Sequence, residues 1–424
     1  VMLRAPGKRA LLVALFLLGA ETAWGQATAP TKEAFRSVYA AISRALDEPD
    51  PQAALALLEQ HTAVVQKDPG LLYLKAMALT QAGRRSQATT CLRKLEAMDP
   101  GFEAATDPAF KALHLKLQRR PVVGSIRIAA SLPLPDLFPE GVAVDPTTGR
   151  TFLSSLLHGG VLVLERSGAY RWFLEPDPAG PWSTLGLKID STRRLLWIAS
   201  QGTPGRGGLE PGAAEHSALL AADLDTGRVV RRVPCTAPGK HLFNDMALAE
   251  DGTVYVTDSE AGTVLRLPPE QDLLEALLPP GTLGYPNGIV LTRDGQGLLV
   301  GAQGPGLYRL SLADRGLIDI QIPPGLHLQG IDGLSRYGHK LVGVQNGLAP
   351  GRVALLDLNE GETALRSIKV LAAGHPGLRG IPTTGAVVGT AFRFIVNSQI
   401  TLLEEKLPHP APANFLIADV PLPR

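Results

Sequence analysis

Two hydrophobic periods divide the chain. Across residues 31–120 the apolar positions recur at helical spacing, as in Ala53-Ala54-Leu55 followed by Leu58, and Leu72, Ala76 and Leu79, with almost no Val or Ile. Residues three and four apart share one face of a helix, so this stretch predicts helices. From Val122 onward the pattern changes to short alternating strands separated by Gly, Pro, Asp and Asn. One unit recurs there: an apolar strand, a turn such as Asp145-Pro146-Thr147-Thr148-Gly149-Arg150 or Glu250-Asp251-Gly252, then a second strand ending in small polar residues. Its copies occupy 141–155, 186–201, 245–259, 288–303, 333–346 and 385–398. A repeat of ~40 to 50 residues carrying several strands is the signature of a propeller blade. Six copies predict six blades. The interval between the second and third copies is stretched by the Gly- and Pro-rich segment 202–216, which reads as a surface insertion.

A ring of sheets must close, or two edges stay free to pair with other chains. The strand-like segment 125–129 precedes the first full unit, and 415–420 ends the last, so the amino-terminal strand is expected to complete the sixth blade from outside. The fold class expected is therefore mainly β with an α-helical amino-terminal region. A signal segment spans 1–25, a helical region 26–120, and a six-bladed β-propeller 121–424.

Within the helical region, Leu72, Ala76, Leu79, Gly83, Ala88, Leu92, Leu95 and Pro100 resemble the small and large positions of a tetratricopeptide repeat (TPR), from which Lys75 departs. A degenerate preceding copy (Ala54, Leu58, Asp68-Pro69) and a following helix opened by Asp107-Pro108 give three expected helical pairs. Such a region either docks a protein partner in a groove or caps the neighbouring domain. The cap is favoured, because so few repeats expose too much apolar surface by themselves.

Composition narrows the function classes. With 424 residues, 45 Gly and 35 Pro, the chain has material for two domains, one rich in turns, and 45% hydrophobic residues exclude global disorder. The net charge of +1, without a long run of like charge, excludes nucleic acid as a partner. Cys91 and Cys235 fall in different regions without metal-ligand spacing, so neither a disulfide framework nor a zinc site is expected. At the amino terminus, Arg4, Lys8 and Arg9 precede an apolar stretch at 11–18 and the small-residue site Ala23-Trp24-Gly25. This predicts a signal peptide cleaved after Gly25, the apolar run being far short of the ~20 residues that span a bilayer. A secreted or periplasmic protein, not held in a membrane after cleavage, is the expectation.

The candidate chemistry lies at one repeat position. In a propeller the residue just before each innermost strand faces the mouth of the central channel. Across the six blades that position is Glu140, Leu185, Asn244, Asn287, Asp332 and Thr384. Two carboxylates and two carboxamides suit a hard divalent cation, the acids offsetting its charge and the amide carbonyls adding neutral ligands. Asn and Asp also cap turns at strand starts, so it is their coincidence at one repeat position that singles them out. Without an ion, two carboxylates in a narrow mouth repel, and at least one should hold its proton more tightly. A polar rim at the ends of the second strands (Ser154-Ser155, Ser200-Gln201, Asp258-Ser259, Gln303, Gln345-Asn346, Asn397-Ser398) offers contacts for a hydroxylated or carbonyl-bearing ligand. From it Asp258, Gln303 and Asn346, together with Asn244, are the candidate substrate-binding residues.

Phe243-Asn244-Asp245-Met246 with the run 251–257, Pro286-Asn287-Gly288, Ile331-Asp332-Gly333 and Pro139-Glu140-Gly141 resemble the gluconolactonase and senescence-marker-protein family. They are similar also to paraoxonase and strictosidine-synthase-like propellers. The resemblance covers residues 122–424. It implies a Ca²⁺-type site with Glu140, Asn287 and Asp332 as ligands and Asn244 as a further ligand or substrate contact. In lactonases of this kind the cation polarises an ester carbonyl, and Asp332 matches the carboxylate that acts as general base towards water. Three departures bear on specificity. Leu242 stands where gluconolactonase-type sequences have arginine, Met246 replaces a glycine, and the paraoxonase histidine has no counterpart around Leu185-Gly186. His241 and His158 are candidate proton acceptors near the mouth, each more often a solvated bystander. No Gly-x-Ser-x-Gly elbow occurs, so a serine nucleophile is unsupported. The leading expectation is an exported, Ca²⁺-dependent hydrolase of a small lactone or ester. The alternative is a non-catalytic binding or scaffold propeller with a structural metal and a helical protein-docking region.

Overall fold

The computed structural model describes residues 42, 45, 50–66, 69–97, 122–134, 136–177, 182–202, 216–302, 306–323, 326, 328, 330–346, 351–375, 378, 381–400, 403 and 414–423. The expected signal segment 1–25, the helix opened by Asp107-Pro108, Gln303 and nearly all of the insertion 202–216 lie outside them.

From Val122 on, the chain forms six four-stranded antiparallel sheets. Their first strands, Val142–Val144, Ser183–Asp190, Phe243–Leu248, Ile289–Leu291, Ile331–Tyr337 and Gly385–Val388, each pack against the first strands of the two neighbouring blades and line the channel as a closed ring. The sixth sheet runs Gly385–Val388, Ala391–Ile395, Phe415–Pro421 and, outermost, Arg127–Leu132, so the amino-terminal strand closes the ring as expected. The closure carries its own clasp. Arg393 donates through Nε and Nη2 to the two oxygens of Asp419 at 2.8 and 3.0 Å, and through Nη1 to Thr151 Oγ1 of blade one at 2.9 Å. Arg127 on the outermost strand also binds Asp419.

Hydrophobic alternation alone understates the burial. The second and third strands of blade one, Thr151–Ser154 and Val161–Leu164, are buried at every position, because neighbouring sheets cover both faces. The outer strands Tyr170–Leu174 and Val229–Pro234 keep exposed positions. Between blades one and two, Phe152 meets Phe173 edge-on at 4.9 Å, among Val161, Val163, Leu187, Leu196 and Ile198. Each such large side chain contributes about 1.5–3 kcal/mol by leaving water.

At the mouth, the glycine that follows the repeat position lets adjacent inner strands touch backbone to backbone. A Cβ on Gly186 would lie 2.2 Å from the Asn244 carbonyl oxygen, and one on Gly288 2.6 Å from that of Asp332. Blade three departs from this pattern by carrying Asp245. Its register shifts between Phe243 and Met246, as that of blade two does between Thr184 and Leu187 and that of blade five between Ile331 and Gly333.

The helical region contains Pro51–Gln60, the single turn Thr62–Val65, Pro69–Gln81 and Arg85–Ala97. Asp50 caps the first, its Oδ1 accepting from Ala53 N at 3.0 Å with Pro51 at the first helical position. Gly83, at φ 74°, ends the third helix, and Arg84 N bonds back to Leu79 O at 2.7 Å, turning the chain into a helical hairpin. Ala54, Leu58, Leu72, Ala76, Leu79, Ala88, Leu92 and Leu95 form one buried cluster made entirely of helical-region residues. Among the described residues these helices bury their apolar faces on one another. Cys91, in this cluster, and Cys235, in the propeller, are both free thiols.

Candidate functional site

Hydrogen bonds from polar residues at the strand ends position several of the mouth residues. Ser154 Oγ accepts from the backbone N of Glu140 at 3.2 Å and of Gly141 at 2.7 Å. The Glu140 carbonyl accepts from Thr383 Oγ1 and Thr384 Oγ1 at 2.8 and 2.9 Å, so Thr384, the blade-six member of the ring, holds Glu140 in place. Thr257 Oγ1 accepts from Asp245 N at 3.1 Å and donates to Asn287 O at 2.8 Å. Ser259 Oγ donates to Pro286 O at 2.6 Å and accepts from Asn244 Nδ2 at 3.1 Å.

These bonds leave a particular set of oxygens unused. The amide nitrogen of Asn244 is tied to Ser259 and that of Asn287 to Asp332 Oδ1, which orients both carboxamides with their carbonyl oxygens away from those partners. Asn244 Oδ1, Asn287 Oδ1 and Glu140 Oε2 are buried without a hydrogen-bond partner. Three orphaned acceptors at one repeat position are costly unless something electropositive meets them. Asp332 stands in the same ring, 7% exposed, with Asn346 Nδ2 donating to Oδ2 at 2.5 Å and Asn287 to Oδ1. Among the described residues no three acidic, His or Cys side chains gather closely enough to hold an ion by themselves. A cation here depends on the amide oxygens as well, and this donor set fits a hard divalent ion.

Electrostatics agree with the geometry. Burial pushes the Glu140 carboxyl well above the usual carboxylate range, Asp332 and Asp245 push it further, and Lys188 opposes them. Burial raises Asp332 to about 7 against the hydrogen bonds from Asn346 and Asn287, with Asp245 adding to the rise. Asp245 and Lys188 are thus electrostatic members of the mouth that sequence reasoning missed. Lys188 Nζ lies 3.0 Å from Asp245 Oδ1 and 3.2 Å from Oδ2. The signal was Asp245 standing at the repeat's glycine position, and a lysine within an otherwise uncharged inner-strand position.

The substrate-contact expectations fare differently. Asp258 is fully buried and spent on the scaffold: Oδ1 accepts from Leu242 N at 2.9 Å and Ala261 N at 3.1 Å, and Oδ2 pairs with His241 Nδ1 at 2.6 Å. These bonds tie both of its oxygens to the blade's own backbone and to His241. Asn346 spends its amide on Asp332. Gln345 Oε1 accepts from Arg352 Nε at 2.8 Å, and Asn397 joins Asn414 O and Leu416 N. Most of the rim therefore builds the mouth. Gln303 lies outside the described residues. His241 faces oxygen atoms with both ring nitrogens, Nδ1 towards Asp258 and Nε2 3.1 Å from Ala237 O. His158 pairs with Asp136 at 2.8 Å and is partly exposed.

A surface groove of about 620 Å³ lined by Thr148, Arg150, Glu165, Arg166, Ser167 and Asp225 lies beyond the opposite ends of the inner strands. There Arg150 donates to Leu224 O, and Arg194 bridges Asp145 and Asp225, joining blades one and two.

No family model matches the chain, and none of the curated proteins matches it. Solved structures do. A gluconolactonase from Xanthomonas campestris is similar at 18% identity over 72% of this chain and 98% of its own, with a TM-score of 0.47. The calcium-binding protein regucalcin from Agrobacterium tumefaciens aligns at 16% identity over 70% of this chain and 96% of its own, also at 0.47. Virginiamycin B lyase from Staphylococcus aureus aligns at 14% identity over 70% and 99%, again at 0.47. At these TM-scores the likeness assigns this chain neither a family nor a function, and the reactions named belong to those proteins.

Proposed function

We propose that the chain is an exported, divalent-cation-dependent hydrolase of the lactonase type acting on a small lactone or ester, with Ca²⁺ the cation that its oxygen donors suit best. The carrying observation is the trio of buried acceptors without partners, Glu140 Oε2, Asn244 Oδ1 and Asn287 Oδ1, beside the Asp332 carboxylate. Glu140, Asn244, Asn287 and Asp332 would hold the cation. A cation held there supplies Lewis-acid polarisation of an ester carbonyl. The chain's own contribution is the positioning of Asp332. Asn287 and Asn346 grip one carboxylate oxygen each, so the group is fixed in orientation to accept a proton from a water held beside it. The test is turnover of a panel of lactones and esters by cation-loaded protein, with chelation and with Asp332→Asn. Activity on at least one member is expected, lost in both controls. Absence of turnover across the panel by protein shown to hold the cation removes the enzyme reading.

The use of Asp258, Gln345 and Asn397 for the scaffold favours a second reading. In it the cation only stiffens the mouth, and the TPR-like helical hairpin docks a protein. A bound cation, raised thermal stability and no turnover on the same panel would select it.

A further inference from the structure

We propose that Ser259 is a positioning residue that makes Asn244 an acceptor at the mouth, by dictating which end of its carboxamide faces away from the blade. The inference rests on the cation reading above and adds to it a side chain outside the ligand ring. A serine hydroxyl has one proton to give, and its oxygen can also accept. Ser259 Oγ lies 2.6 Å from Pro286 O, a carbonyl that can only accept, so the proton is committed there. Towards Asn244, 3.1 Å away, the same oxygen is left with lone pairs alone, and only the amide nitrogen can meet it. Nδ2 therefore turns to Ser259 and Oδ1 turns from it, buried without a hydrogen-bond partner. Reversed, the carboxamide would set two oxygens against each other at Ser259 and would present N–H donors, which repel a cation, where Oδ1 now stands. At 3% exposed, Ser259 is shut off from water that could take over either bond.

The placement follows from the register of the blade. Met246, two residues past Asn244, pairs with Val256, and Ser259 follows three residues later. Blade five repeats the count: Leu334, two residues past Asp332, pairs with Gly343, and Asn346 follows three residues later. Asn346 is the residue that donates to Asp332 Oδ2. One register position thus holds the mouth side chain in both blades, with the polarity each needs, an acceptor for the carboxamide and a donor for the carboxyl group. Blade two carries Gln201 at this position, but its mouth residue is the apolar Leu185, and Gln201 Oε1 accepts from Ser217 instead. A second hydroxyl works the same seam from two residues earlier on the strand. Thr257 Oγ1 accepts from Asp245 N at 3.1 Å and gives its proton to Asn287 O at 2.8 Å. Both hydroxyls therefore draw blade three onto Pro286 and Asn287, which lead into blade four. The bonds of Thr257 run to backbone atoms, whereas Ser259 reaches a donor side chain of the ring itself.

Orientation can be separated from packing because Asn244→Asp makes both ends of the side chain oxygens, so that no choice between them remains. Calorimetric titration of the full chain with CaCl₂ would give the affinity of the wild type, Ser259→Ala, Asn244→Asp and the double variant. Ser259→Ala is expected to weaken Ca²⁺ binding about tenfold or more in the wild-type background, and less than about threefold in the Asn244→Asp background. Any loss that comes from slackening the tether to Pro286 is common to both backgrounds and cancels in their ratio. Thermal unfolding in chelator checks that each variant folds. Ser259→Cys, of nearly the same volume but a weak donor and acceptor, takes the place of Ser259→Ala in the cycle if that variant does not fold. Losses that agree within about threefold between the two backgrounds, including no loss in either, overturn the inference while the cation site stands. A wild-type chain that takes up no Ca²⁺ removes the cation reading and this inference together.

Discussion

At the scale of single residues, the mouth stores protons that a cation would displace. Asp332 is raised to about 7 and Glu140 also upward, mainly by burial. Unfolded, such carboxyls release their protons near ~4. Between those values the folded chain binds more protons than the unfolded one, so the stability of the cation-free protein falls as pH climbs from about 4 to about 7 and levels off above. For Asp332 alone the change is on the order of 4 kcal/mol. Thermal unfolding in chelator should show a lower midpoint at pH 8 than at pH 5, with the difference shrinking in Asp332→Asn. Saturating Ca²⁺ should raise the midpoint more at pH 8 than at pH 5. A midpoint in chelator that rises from pH 5 to pH 8 would contradict the origin given for the shift. Glu140, Asn244, Asn287 and Asp332 were legible because a repeat places equivalent residues in equivalent positions. Asp245 and Lys188 each break a repeat position in the sequence, but their pairing across the seam of two inner strands is visible only in three dimensions. The hydrogen bonds that occupy Asp258 and Asn346 were hidden for a related reason. Composition shows a polar side chain but not whether a backbone N–H, or another side chain, has already claimed it.

Among the elements, the strand pairs were the clearest part of the sequence, since alternation and turn residues recur in every unit. What alternation could not show is which hydrogen bonds clasp the ends. Asp419 joins three strands of the sixth sheet, receiving Arg393 from the second strand and Arg127 from the outermost, while Arg393 reaches on to Thr151 in blade one. Asp419 is 6% exposed, and its removal would leave a largely buried guanidinium unpaired. Asp419→Ala is therefore expected to cost about 3 kcal/mol or more in denaturant unfolding. Arg127→Ala should cost under 1 kcal/mol, because the Arg127 side chain is mostly exposed. Equal effects from the two substitutions would place the strength of the clasp in the exposed arginine instead. The helices were legible for the same reason as the strands: Leu72, Ala76, Leu79, Ala88, Leu92 and Leu95 share one buried cluster, and Gly83 turns the hairpin.

For the whole molecule, the sheet order makes the propeller depend on a strand that lies before its first full blade. Arg127–Leu132 pairs with Phe415–Pro421 across nearly 300 residues of sequence, from Arg127 opposite Asp419 to Leu132 opposite Phe415. Upstream of it, Val123 exchanges two backbone hydrogen bonds with Ala373 at the end of blade five, at 3.0 and 3.2 Å. Among the described residues the helical region buries a cluster drawn from its own side chains. Two truncations distinguish these dependencies. A chain beginning at Val122 keeps the closing strand and the Val123 bridge, and should unfold in one cooperative step close to that of the propeller in the full chain. A chain beginning at Pro133 loses both. The backbone groups of Phe415–Pro421 that face Arg127–Leu132 would then be an open edge, and Asp419 would lose one of its two arginines. That shorter chain is expected to aggregate or to unfold at a markedly lower midpoint, and to bind a cation more weakly, because Thr383 and Thr384, which hold the Glu140 carbonyl, lie at the start of the sixth blade that the missing strand completes. Sedimentation together with thermal unfolding of the two purified chains decides the matter. Equal stability would mean that the inner strands close the ring unaided and that the outer strand only covers it.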